Sequence, residues 1–189
     1  MNLTHYIREY PETLSQDVCT DIITRFENDV ASQVQTYLPE HRSFTEINIT
    51  AQPHWQDIHT MLLDSVETML PVYHHETGMH SKMWPGDYGY EQFRMKRYLP
   101  QTKDEFQFHV DVGDHSSARR FLVLFWYLNT VTVGGETTFQ PSPVDDPWYV
   151  VRPQARTLLM FPPTWTYPHV GQKPVSGPKY IVGTYLHYI

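Results

Sequence analysis

A chain of 189 residues is long enough to bury a core without disulfides or a structural metal, and 40% apolar, 14% aromatic and 19% charged residues exclude a disordered or fibrous protein. A formal charge of −7 and a pI near 5.8 argue against phosphate backbones and anionic membranes, so neither nucleic acid nor a membrane is expected as a partner. Cys19 is the only cysteine, which rules out an intramolecular disulfide, and the charged N-terminus and lack of ~18 successive apolar residues point to one cytoplasmic domain over 1–189.

The first ninety residues read as mostly helical support. Behind the N-cap candidate Ser15, the apolar positions Val18, Ile22, Ile23 and Phe26 recur at helical spacing and predict a helix to about Gln35. RSFTEINIT follows as a strand, with Thr45, Ile47 and Ile49 on one face. A second helix holds Ile58, Leu62, Leu63, Val66 and Leu70, and Pro71 is expected to kink or end it. MHSKMWPGDYGY reads as a loop.

From about Tyr90 the period becomes that of strands. About eight short runs separated by Gly, Pro, Asp and Ser clusters are expected near 92–99, 106–110, 121–128, 136–139, 148–152, 157–161, 167–170 and 180–188. They predict a mainly β core over 91–189, a sandwich or jelly roll (a double-stranded β-helix) with the N-terminal helices packed on one sheet. Gly134 and Gly135 read as a tight turn that need bind nothing.

One stretch in this region carries chemistry. In FHVDVGD, His109 and Asp111 are separated by one residue, so strand alternation puts both on one face and Val110 on the other. An imidazole and a carboxylate aimed at one point are two members of a two-His-one-carboxylate Fe(II) site, which leaves positions open for a cosubstrate and dioxygen. His169, in a later strand, is the candidate third ligand among eleven histidines. His5, His41, His54, His59, His74, His75, His80 and His187 read as surface or boundary residues, and His115 falls in the turn-like GDHSSA. Lys179 lies ten residues beyond His169, either as a solvated strand-edge lysine or as a cation for a dicarboxylate cosubstrate.

The ordered set HVD, FLVLFWYLN, GGETTF, YVVRPQARTLLMF, His169 and PVSGPKYIVGTY resembles the 2-oxoglutarate- and Fe(II)-dependent dioxygenases of the prolyl 4-hydroxylase-like branch, over roughly 93–185. TLSQDVCTDIITRFE is similar to the helix that precedes the catalytic core there. The resemblance implies that His109, Asp111 and His169 bind iron, that Lys179 binds the distal carboxylate of 2-oxoglutarate, and that Tyr98 and Tyr127 line the cosubstrate pocket. Tyr127 reads equally well as a core aromatic. Fe(II), 2-oxoglutarate and dioxygen are the implied cofactors, with ascorbate as an auxiliary reductant. An intact Asp111 favours hydroxylation over halogenation, because related halogenases replace that carboxylate with a small residue.

The resemblance implies proline in a peptide or protein as substrate, with a free amino acid or other small molecule as the alternative. Trp126, Trp148, Trp165 and Tyr167 could form a platform for an extended segment, or simply pack. Arg119 and Arg120 read as a solvated pair; the resemblance puts Arg120 at the substrate entrance, and Tyr185, on the inward face with Lys179, is a second candidate contact. FPPTWTYPH departs from collagen-type and oxygen-sensing enzymes toward compact microbial or viral members. The opposing class is a cupin-like metal-binding barrel without activity, which would have no need of Lys179.

Overall fold

Ser15 starts the first long helix as expected. Its hydroxyl accepts the Val18 amide at 3.2 Å, and helix α1 (Gln16–Asn28) buries Cys19, Ile22 and Phe26. The helix stops well short of Gln35. Asp29 leaves the helical conformation and turns its carboxylate to His54 and Trp55, at 2.7 and 2.8 Å. Val30 and Val34 continue the apolar period beyond this point, yet they are 69% and 59% exposed and support no helical face.

The structure, a computed structural model, describes residues 2–189. Helix α2 (Gln56–Glu76) continues past Pro71, so of the expected kink or end the structure excludes the end. Interior proline removes one helical hydrogen bond and costs ~3 kcal/mol. The turn beyond it is anchored: Tyr73 is buried and its hydroxyl donates to the Tyr6 carbonyl at 2.9 Å, while Thr77 donates to the Tyr73 carbonyl at 2.7 Å.

The strands are β1 (Arg8–Tyr10), β2 (Val34–Leu38), β3 (Arg42–Asn48), β4 (Tyr88–Tyr90), β5 (Arg94–Tyr98), β6 (Glu105–His109), β7 (Arg120–Tyr127), β8 (Thr137–Phe139), β9 (Tyr149–Val151), β10 (Thr157–Phe161), β11 (His169–Gly171) and β12 (Lys179–Tyr188). Those expected after residue 90 are all present. The first ninety residues, read as mostly helical support, contribute the expected β3 and also β1, β2 and β4, the last within the MHSKMWPGDYGY stretch read as a loop, and Ile49 falls just past β3 in a 3-10 turn.

The sheet is antiparallel in the order β1-β10-β7-β12-β5-β3-β6-β11-β8-β9, with β2 on β3 and β4 on β12. β3 turns the corner. Thr45 to Asn48 pair with β5, whereas Arg42 and Ser43 pair with β6, so the sheet folds over on itself as a jelly roll.

Alternation along the large half of the sheet separates two cores. Leu122, Leu124 and Trp126 of β7, Leu158 and Met160 of β10, and Val182 and Leu186 of β12 pack beneath the two helices. Val123 and Tyr127, with Leu159 and Phe161, face into the roll, where Phe125, Ile181 and Tyr185 join them. Phe121 sides with the helix layer, although it stands two residues before inward-facing Val123. The pairing of β12 with β7 slips between Leu186 and His187, opposite Leu122 and Arg120, and this irregularity re-aims Phe121 against Trp84 and Tyr188. Gly183 lets β12 approach β7 closely: a Cβ there would overlap the Leu124 carbonyl oxygen and the Phe125 Cβ.

Candidate active site

His109 and His169 are direct partners across β6 and β11, which brings their rings to 4.2 Å between centroids. β6 ends at His109, so Asp111 reaches the same point from just beyond the strand, its amide held on the Pro163 carbonyl at 3.1 Å. Val110 therefore does not pack behind the strand as expected, but lines the same cleft as its neighbours. One ligand atom from each of His109, Asp111 and His169 lies within 4.8 Å of the others. His109 Nε2 stands 3.7 Å from Asp111 Oδ1, and His169 Nε2 stands 3.5 Å from Oδ2.

The far nitrogens settle the tautomers. Nδ1 of His109 sits 2.7 Å from the Gln107 carbonyl and Nδ1 of His169 sits 3.0 Å from that of Tyr167, so each must donate there and present an Nε2 lone pair to the centre. Burial pushes His169 down to about 4, which keeps it neutral. Burial alone would raise the Asp111 carboxyl, and the Tyr185 hydroxyl donating to Oδ1 works against it by favouring the carboxylate. Asp111 Oδ2 is buried with no hydrogen-bond partner, a costly state unless a cation meets it.

Asp111 is braced from two directions. The Tyr185 hydroxyl donates to Oδ1 at 2.7 Å, and Arg120 donates to the Asp111 carbonyl at 2.9 Å. Glu91 grips the same guanidinium in two-point fashion at 2.7 and 2.8 Å, and the guanidinium lies 4.0 Å over the Tyr185 ring. Arg120 and Tyr185, read from sequence as substrate contacts, are thus engaged with Asp111. Glu91 was missed, since only register brings it to Arg120.

Deeper in the roll, Lys179 is 2% exposed. Its ammonium donates to the Gly135 and Gln172 carbonyls at 3.0 and 3.4 Å and lies 4.7 Å over the Tyr98 ring. Gly135 does more than turn the chain: its φ of 79° points that carbonyl at the lysine. No carboxylate pairs with Lys179 among the described residues, and burial draws its ammonium down to about 7. Tyr98, Tyr127, Thr137, His109, His169 and Lys179 line one narrow recess of about 50 Å³. The Tyr127 hydroxyl is satisfied by Thr137 at 2.6 Å, which joins the core and pocket readings of that residue.

A wider cleft of about 840 Å³ opens on His109 and Asp111 between β3, β5 and the turn after β6. His41, dismissed in sequence as a surface histidine, lines it, 6.3 Å from the His109 ring. The expected aromatic platform is not assembled: Trp126 is buried with its indole on Thr13, Trp148 packs on Phe139 and Tyr167, and Trp165 alone is 79% exposed.

The model of the 2OG-Fe(II) oxygenase superfamily matches residues 93–187, half of the chain. The chain belongs to that superfamily. It is a dioxygenase that uses Fe(II) and 2-oxoglutarate. Two imidazole nitrogens and an orphaned carboxylate oxygen are the donor set that non-haem Fe(II) takes, so His109, Asp111 and His169 fit the metal.

Among solved structures, the oxygenase resembles a viral collagen prolyl hydroxylase from Paramecium Bursaria Chlorella virus-1 in complex with 2-oxoglutarate, at TM-score 0.73 and 18% identity over 97% of each chain. It also resembles a Trichoplax adhaerens prolyl hydroxylase bound to a hypoxia inducible factor peptide, at 0.73 and 16% over 97% and 84% of the two chains. A Pseudomonas putida prolyl-4-hydroxylase follows at 0.68 and 16% over 98% and 94%. At these identities the likeness is one of fold. No curated protein matches significantly.

Proposed function

We propose that His109, Asp111 and His169 hold the ferrous ion, that Lys179 pairs with the distal carboxylate of 2-oxoglutarate in the recess lined by Tyr98 and Tyr127, and that the oxygenase hydroxylates proline within a peptide or protein. The cleft carries this reading: about 840 Å³ of open channel beside His109 and Asp111 suits an extended segment better than one amino acid. The Trichoplax neighbour binds a peptide, which supports the same choice.

Bound Fe(II) and 2-oxoglutarate supply the oxidation, in which dioxygen is consumed, the oxo acid becomes succinate and carbon dioxide, and one oxygen atom enters a substrate C–H bond. The protein's task is placement. His109 and His169 keep their Nε2 lone pairs unprotonated, Tyr185 fixes the Asp111 carboxylate, and Arg120 holds the Asp111 main-chain carbonyl. Lys179 orients the cosubstrate from behind, as a point charge whose own cost of burial is relieved by the entering carboxylate. Phe106, stacked on His109 at 3.6 Å, and Phe125 and Ile181 keep the recess apolar.

The test is mass spectrometry on a library of proline-containing peptides incubated with Fe(II), 2-oxoglutarate and the oxygenase, with free L-proline as a separate arm. A gain of one oxygen atom on peptidyl proline is expected. Steady succinate formation that leaves every proline peptide unmodified would sink the prolyl reading.

A further inference from the structure

Along the wall of the cleft built from β3 and β5, the charges do not balance. Arg42, Phe44 and Glu46 alternate inward on β3, and Arg94 and Lys96 on β5; all five line the cleft. Glu46 sits directly opposite Lys96 across the strands, yet its carboxylate goes to Arg94 at 3.0 Å and to Thr36 at 3.3 Å. Glu91 is taken by Arg120, Asp111 belongs to the metal triad, and Asp114 is held by Ser116 and Ser117 of its own turn. Two cations are left over. Among the described residues neither Arg42 nor Lys96 makes a side-chain hydrogen bond or ion pair, and Arg42 Nε is buried without a partner.

The two converge on one ring. Lys96 Nζ stands 5.7 Å from the centroid of Phe106 and 4.7 Å from that of Phe44, and the Arg42 guanidinium stands 5.7 Å from Phe106. Phe106 in turn stacks on His109 with an interplanar angle of 5°. The pair therefore flanks the metal centre on the side of the cleft. The cosubstrate does not account for it: Lys179 lies opposite Tyr98, and Lys96 lies opposite Ile181, two residues nearer the mouth. In the function proposed above, 2-oxoglutarate already has Lys179 at one end and the metal at the other.

We propose that Arg42 and Lys96 form an anion-docking subsite that receives a carboxylate of the substrate beside Phe106, so that the oxygenase selects acidic substrates. This rests on the reading of the wide cleft as the substrate channel. The carboxylate comes from an acidic side chain near the target residue or from a free amino acid, and both present the same group to the two cations.

The probes are the peptides Gly-Glu-Pro-Glu-Gly and Gly-Gln-Pro-Gln-Gly, the same pair with alanine for proline, and L-proline against L-prolinamide. Affinities are read by calorimetry on the Fe(II)- and 2-oxoglutarate-loaded enzyme under anaerobic conditions, and KM by succinate release in air. An advantage of about tenfold for the carboxylate member of a pair is expected, as one charge-assisted contact supplies. It should collapse in Lys96→Met and in Arg42→Gln and fade with added salt, while the 2-oxoglutarate KM moves less than about twofold. The alanine peptides separate the two claims: a carboxylate preference that survives there upholds the subsite even if proline is not the residue oxidised. Equal affinity within every pair overturns the subsite and leaves the prolyl reading standing. A matching rise in the 2-oxoglutarate KM in Lys96→Met also overturns it, by giving the lysine to the cosubstrate.

Discussion

The two faces of β7 and β12 differ in kind although they are made by the same strands. Toward the helices stand Leu122, Leu124, Trp126, Val182 and Leu186, nearly all hydrocarbon and fully enclosed. Toward the interior stand Lys179, donating to the Gly135 carbonyl, and Tyr185, donating to the Asp111 carboxylate, with Arg120 at the strand edge on the Asp111 main-chain carbonyl. The lesson is that pleat alternation divides labour residue by residue: stability is carried on one side of a strand and chemistry on the other.

That division can be broken by mutation, and the largest effect belongs to the inward side. Asp111→Ala should reduce Fe(II)-dependent succinate formation to background without loss of the folded circular-dichroism signal, since a metal site with one donor removed binds and activates poorly. Next comes the helix side. Leu124→Ala should cost about 2–5 kcal/mol in denaturant unfolding, because the space beneath α1 and α2 is already filled. Its 2-oxoglutarate KM should stay where it was. A changed KM would mean that the two faces are mechanically coupled after all.

Lys179→Met is expected to raise the 2-oxoglutarate KM by about 10- to 100-fold, the loss of one buried charge-assisted contact. The pH dependence gives this lysine a signature of opposite signs. Burial lowers the folded ammonium to about 7 from 10.5, so between those values the unfolded chain binds more protons and this group makes stability rise with pH. Cosubstrate affinity runs the other way and should fall as pH rises above about 7, because the charged form is the one that pairs. Both slopes should disappear in Lys179→Met, in thermal unfolding and in calorimetric titration respectively. The smallest effect is Tyr185→Phe, which removes the hydroxyl on Asp111 Oδ1 and should weaken Fe(II) binding by about tenfold, read by metal titration.

Much of the catalytic half was legible because its strands are β-branched and aromatic runs set off by turn residues, whereas His169 was singled out by resemblance, and the strand pairing that sets it against His109 is not written in any local pattern. The parts that were not legible share a cause. β1, β2 and β4 are short or half-solvated, so they leave no apolar period, and β2 even carries exposed Val34, Tyr37 and Leu38. Pro71 was read by its local cost, whereas Tyr73 and Thr77 on the far side of it decide the outcome. The assignment of Arg120 and Tyr185 turned on register. Only the pairing of strands far apart in sequence brings Glu91 to one and Asp111 to the other, and no periodicity encodes that.

Gly183 sets a limit for anyone who would re-engineer this enzyme. It lines the cleft and so invites substitution to reshape substrate choice, but the seam between β7 and β12 closes only because nothing projects there. A redesign of specificity must therefore be written on the neighbouring strands β5 and β3, where side chains already reach the channel and can be exchanged without prying β7 and β12 apart.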